Sequence, residues 1–143
     1  MPPTWKTGSP SPHTDKAMPA AKEHFAVGVL AAGLVNGLAQ LAHDAEDPDQ
    51  RFDWGELVLS CLAGGAVALL PDILEPADSP CHRRFFHSAA AAGLVAYAVS
   101  GRHVNRLSPE TRRFLWVLAA SYSSHTLMDS GTPKSVPMIG VFG

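Results

Sequence analysis

The chain of 143 residues is 46% hydrophobic and 17% charged, and its 11 Lys and Arg against 13 Asp and Glu leave a formal charge of −2. A single domain of this length buries about two-thirds of its unfolded surface and needs no covalent staples, and two cysteines, Cys61 and Cys81, are too few for a secreted disulfide scaffold. The near-neutral balance excludes a dedicated nucleic-acid binder, because the pairs Arg83/Arg84 and Arg112/Arg113 are too small to form the basic stripe such a protein carries.

Residues 1–17 are rich in Pro, Ser and Thr and read as a flexible tail, since so few apolar side chains cannot offset the entropy of ordering. No apolar targeting region occupies these positions, which predicts a protein that is not secreted. A helical domain is expected over 18–143. From Pro19 onward His24, Val27, Gly28, Ala31, Val35, Leu38 and Ala42 share one stripe at helical spacing, so His24 should face the core. The stop is predicted near His43, where an acidic run containing Pro48 begins.

Asp53-Trp54-Gly55-Glu56 fits a reciprocal capping box and predicts a second helix ended by Pro71. Residues 71–80 carry three prolines and three acids and read as an irregular loop. Ser79-Pro80 then supplies a cap and first-turn proline for a third helix carrying His82, Arg83 and His87, stopping at Gly101. Ser108-Pro109-Glu110 repeats that signal for a fourth, running to about Met128 or Asp129. The predicted fold is all-α, a compact bundle of about four helices with a polar metal site between them.

Four stretches, 24–43, 57–71, 88–101 and 114–128, contain no Asp, Glu, Lys or Arg. Only the first reaches the roughly 20 residues that span a bilayer, and it carries Asn36 and Gln40. These lengths favour buried bundle helices over spanning ones. Membrane association stays possible, and an inner-membrane and a cytoplasmic location both remain open.

Against this apolar background the ionisable residues cluster. His125 and Asp129 are i, i+4, so both can reach one ion with imidazole and carboxylate ligands. His82 and His87 lie about 140° apart on a helix, whereas Arg83 and His87 share a face. Asp72 follows Pro71, where a loop can aim it freely. Each has a plainer role when taken singly. His24 can be a hydrogen-bonded core histidine, Asp72 a loop acid, Asp129 a cap for Gly131-Thr132, and His125/Asp129 a structural pair. Burying them together is costly unless they pair or share a cation, and a metal removes that cost for the whole set. His13, His43 and His103 read as solvated. Neither a nucleophile elbow nor a phosphate-binding glycine loop is present in the sequence.

Leu69-Leu70-Pro71-Asp72, His82-Arg83-Arg84-Phe85-Phe86-His87-Ser88 and Ser124-His125-Thr126-Leu127-Met128-Asp129-Ser130-Gly131-Thr132 occur in that order. They resemble the LPD, HR-x-x-x-HS and H-x-x-x-D-x-x-T blocks of the YdjM-like family of predicted membrane-bound metal-dependent hydrolases. His24 looks like that family's opening block, and the resemblance runs from about Met18 to the C-terminus. The family is distantly similar to the zinc-dependent phospholipase C and P1-nuclease group. The resemblance implies that His24, Asp72, His87, His125 and Asp129 ligate one or two divalent ions, zinc first and manganese second. His82 would be a further ligand or a proton carrier, and Asp72 or Asp129 would orient the attacking water as base. Arg83 would hold an anionic oxygen of a phosphate ester, small or lipid. The family's second loop acid, two positions after the motif's Asp, falls on Leu74 here, so Glu75 or Asp78 would replace it or one metal would be lost. The competing class is a non-enzymatic, metal-stabilised bundle acting as a membrane-associated scaffold or interaction protein. The sequence leaves the oligomeric state unknown.

Overall fold

The computed structural model describes residues 21–46, 49, 51–75 and 85–131. The expected tail over 1–17, the Ser79-Pro80 cap, Asp78, Cys81, His82, Arg83 and the C-terminal stretch from Thr132 lie outside them. Five α-helices follow in order: α1 (Ala21–Glu46), α2 (Trp54–Val67), α3 (Leu70–Leu74), α4 (Ala89–Ser100) and α5 (Pro109–Ser130), with a 3₁₀ turn at Val104–Arg106 before the last. Among the described residues there is no strand. The architecture is all-α, four long helices packed together as the sequence predicts.

Three of the helices, α2, α4 and α5, begin where a side chain satisfies an early amide. Asp53 Oδ1 accepts the Glu56 N–H at 2.9 Å, and Ser108 Oγ accepts the Thr111 N–H at 3.3 Å. The other half of the expected capping box is absent. Gln40 Oε1, from α1, accepts the Asp53 N–H at 2.7 Å, which frees Glu56 to turn inward. The predicted third helix is also corrected: Ser88 Oγ caps it through the Ala91 N–H at 3.1 Å, so α4 starts at Ala89 and His87 stands in the turn before it. The stretch after α2 departs from the predicted loop. Pro71 sits in the first turn of α3, where its missing N–H is no loss and its fixed φ suits a helix, so the chain coils on through Leu74. Asp72 is therefore on a helix. α1 likewise continues past His43 to Glu46, because the first residue there that cannot propagate a helix is Pro48.

The helices alternate in direction, and their contacts fix which ends meet. Gln40 near the end of α1 meets Asp53 before α2, and Asn36 Nδ2 donates to Glu56 Oε1 at 2.8 Å. Arg113 at the start of α5 grips the same Glu56 through two bonds of 2.9 and 2.7 Å. At the opposite end the start of α1, the end of α2, the turn before α4 and the end of α5 converge, and His24, Asp72, His87, His125 and Asp129 lie there.

The buried stripe of α1 keeps His24 and Gly28 where expected but turns away from the expected one toward its C-terminal end. On α1 the buried positions are His24, Gly28, Ala32, Asn36 and Gln40, spaced every four residues, whereas Leu38, placed on the core stripe by periodicity, is 65% exposed with Leu30, Leu34 and Leu41 also outside. Among the described residues eighteen large apolar side chains are exposed, against eight buried hydrophobic residues, four of them alanines. Small residues rather than large ones form the helix contacts. A Cβ at Gly64 of α2 would press on Ala32 Cβ and stand 2.6 Å from Ser121 Oγ, so α1, α2 and α5 approach at backbone distance. Small residues at the seams and large apolar ones outside are the pattern of helices packed within lipid.

Candidate metal centre

His24 comes from the first turns of α1, Asp72 from α3, His87 from the turn before α4, and His125 and Asp129 from one face of α5. The fold brings all five together. Asp72 Oδ1 lies 3.1 Å from His87 Nε2 and 3.6 Å from His125 Nε2. Asp129 Oδ2 lies 3.6 Å from His125 Nε2 and 3.8 Å from His87 Nε2, while its Oδ1 is 3.6 Å from His24 Nε2. Ligands held about 2.1 Å from a tetrahedral ion stand about 3.4 Å from one another, so these separations fit a shared cation better than a set of direct hydrogen bonds. Two overlapping groups, His24/Asp72/His125 and His87/His125/Asp129, each keep their ligand atoms within 4.8 Å.

The ring nitrogens are prepared for ligation from behind. His125 Nδ1 is 2.7 Å from the Ala68 carbonyl, and because a carbonyl only accepts, the proton belongs on Nδ1. Nε2 is then the lone-pair atom, and this buried nitrogen has no hydrogen-bond partner. Its ring stacks on that of His24, centroids 3.9 Å apart. His87 is held on both sides, by Glu75 Oε2 at Nδ1 and Asp72 Oδ1 at Nε2, each at 3.1 Å. Burial works to lower the His87 pKa, but the hydrogen bonds from these two carboxylates outweigh it and hold the ring above the usual histidine value. Burial likewise pushes Glu75 up, and its bonds from His87 and the backbone N–H groups of Phe85 and Phe86 prevail and keep its carboxyl below the usual range.

Four of the five are sealed: His24 and Asp129 are 2% exposed and His87 and His125 are 0%. Asp72 is different, with 36% of its side chain exposed, so the centre opens to its surroundings on that side alone among the described residues. The five residues singled out from the sequence stand together here, and Glu75, offered there as a replacement for the family's second loop acid, stands close by. The structure puts Glu75 behind His87, at the nitrogen turned away from the cluster. Asp72 and Glu75 are i, i+3, a face-sharing spacing that becomes legible once Pro71 is read as a helix-opening proline.

Residues 18–139 match the family model of the YdjM inner membrane protein. The chain belongs to the YdjM family. Searches among curated proteins and among solved structures find no match. Within this YdjM chain two stretches, Ala21–His43 of 23 residues and Trp54–Leu74 of 21, are long and apolar enough to cross a membrane. Their exposed leucines agree with the inner-membrane description of the family, and the second stretch exceeds its charge-free length in the sequence because α3 extends α2.

Proposed function

We propose that this YdjM-family chain is a metal-dependent hydrolase of phosphate esters, a phosphodiester or a phospholipid. The observation that carries the reading is the convergence of His24, Asp72, His87, His125 and Asp129 on one point, sealed everywhere but at Asp72. A purely structural zinc site is closed by four protein ligands, whereas a catalytic one keeps a position open. The open side therefore favours the hydrolase over the metal-stabilised scaffold. His125 offers a single lone-pair nitrogen to both ligand groups, which argues for one ion held by these residues; a second would need ligands from residues 76–84, where His82 lies.

A divalent ion, zinc or manganese, would supply Lewis acidity, making water more acidic and drawing electron density from a phosphoryl oxygen. The protein's own part is positioning. Asp72, half-open to the surroundings and fixed on α3, is placed to orient a water and take its proton on a carboxylate oxygen. Asp129 and the three histidines would hold the ion, and their burial keeps bulk water from it. Arg83 and His82 keep the roles the family resemblance gives them, steadying negative charge and carrying a proton.

The test is metal content by elemental mass spectrometry on tag-free protein in detergent, with hydrolysis of bis(p-nitrophenyl) phosphate and of phosphatidylglycerol vesicles followed in parallel. About one zinc or manganese per chain, lost together with turnover in His125→Ala, supports the reading. A folded protein that takes up no divalent ion on reconstitution refutes it.

A further inference from the structure

The short helix α3 delivers two carboxylates to one imidazole: Asp72 reaches Nε2 of His87 and Glu75 reaches Nδ1, each at 3.1 Å. Only one of these nitrogens can face the cluster, since Asp129 Oδ2 also lies on the Nε2 side. Glu75 is nearly buried, its backbone N–H is anchored on the Pro71 carbonyl at 2.9 Å, and its second oxygen, Oε1, accepts the Phe85 N–H at 2.8 Å. Both of its oxygens therefore act as acceptors. It is held rigidly by a turn that leads into His87 two residues later.

We infer that Glu75 is a positioning residue that fixes the proton of His87 on Nδ1, so that Nε2 is delivered to the centre as a bare, oriented ligand. The inference rests on the metal reading for its consequence and on geometry alone for the tautomer. Hydrogen bonds behind a ligating histidine set its tautomer and orientation, and their loss typically lowers metal affinity about 10–100-fold. In this chain the acid that follows Asp72 thus stands at the back of the histidine, at Nδ1, and not on its cluster-facing side.

Glu75→Gln tests the assignment sharply, because an amide has one acceptor oxygen and one donor nitrogen. If its oxygen keeps the Phe85 N–H, its NH2 group must face His87 Nδ1, which then has to accept and leaves the proton on Nε2. The two proteins are compared, full-length in detergent, by zinc titration against a competing chelator and by nitrogen-15 NMR of the histidine rings at alkaline pH without metal. The expected result is a zinc affinity 10–100-fold lower in Glu75→Gln, a His87 proton that moves from Nδ1 to Nε2, and an unchanged helical circular dichroism spectrum. Equal zinc affinity with the same His87 tautomer in both proteins overturns the inference. If the unmutated chain binds no zinc, the hydrolase reading fails, and the metal-free tautomer comparison still decides the role of Glu75: a switch upholds it and identical tautomers reject it.

Discussion

His87 shows why ionisable side chains can be buried here at all. Between two carboxylates its ring is held as a cation at pH values where a free histidine has begun to lose its proton, so in the metal-free protein its stabilising contribution is complete below about pH 6.5 and is lost as pH rises through its raised pKa. A metal ligand must be neutral, so ion uptake has to displace that proton. Apparent zinc affinity should therefore climb with pH through and above the ordinary histidine range, with proton release on binding, measurable by isothermal calorimetry in buffers of different ionisation enthalpy. A pH-independent affinity would mean His87 is not a ligand. Glu75 has the opposite sign: its depressed pKa contributes stability above about pH 4.5 that fades on acidification through its folded value. The clustered histidines and acids are legible in sequence because i, i+4 spacing on a helix and isolated ionisable groups in apolar runs are local signals. The place of Glu75 behind His87 is not, since the two lie twelve positions apart.

At the scale of elements, the cap signals Asp53 and Ser108 gave the starts of α2 and α5, because capping is decided by a few adjacent residues. Two boundaries differ from the expected ones: Pro71 opens α3 instead of a loop, because proline also suits a first helical turn, and α4 starts at Ala89 behind a Ser88 cap while the Phe85 N–H bonds to Glu75. Ser88→Ala should accordingly cost about 0.5–2 kcal/mol, seen as a lower thermal midpoint, whereas a cap at Ser79 predicts no loss. The α1–α2 seam makes a second prediction. Gly64→Val places methyl groups against Ala32 and Ser121 where no space exists, and should destabilise the bundle by about 1–3 kcal/mol and lower zinc uptake as the ends splay. A stable, fully metallated Gly64→Val protein would show the helices sit farther apart.

For the molecule as a whole, nothing local in the sequence says which way the apolar faces point. Periodicity locates an apolar stripe but does not say whether water or lipid lies beyond it, so Leu38, on the predicted core stripe, stands outside. What fills the interior instead is polar: Gln40, Asn36, Glu56 and Arg113 form a continuous hydrogen-bonded chain linking α1, α2 and α5. Removing one member costs its neighbours a bond, so Glu56→Ala, which takes the paired carboxylate from Arg113 and one acceptor from Asn36, should lower stability by about 1–3 kcal/mol, read as a lower thermal midpoint. Phase separation in a temperature-sensitive detergent should send the intact protein to the detergent-rich phase; recovery from the aqueous phase would contradict an apolar exterior facing lipid.

The alternating directions of the helices have one more consequence. Residues 21 and 131, the two ends of the described bundle, emerge beside His24 and Asp129, on the same side as the metal centre. Reporter proteins fused before α1 and after α5 should thus report the same compartment, and that compartment is the one whose water and solutes reach Asp72. A single topology experiment would then tell whether the chemistry of this chain is turned toward the cell's interior or away from it.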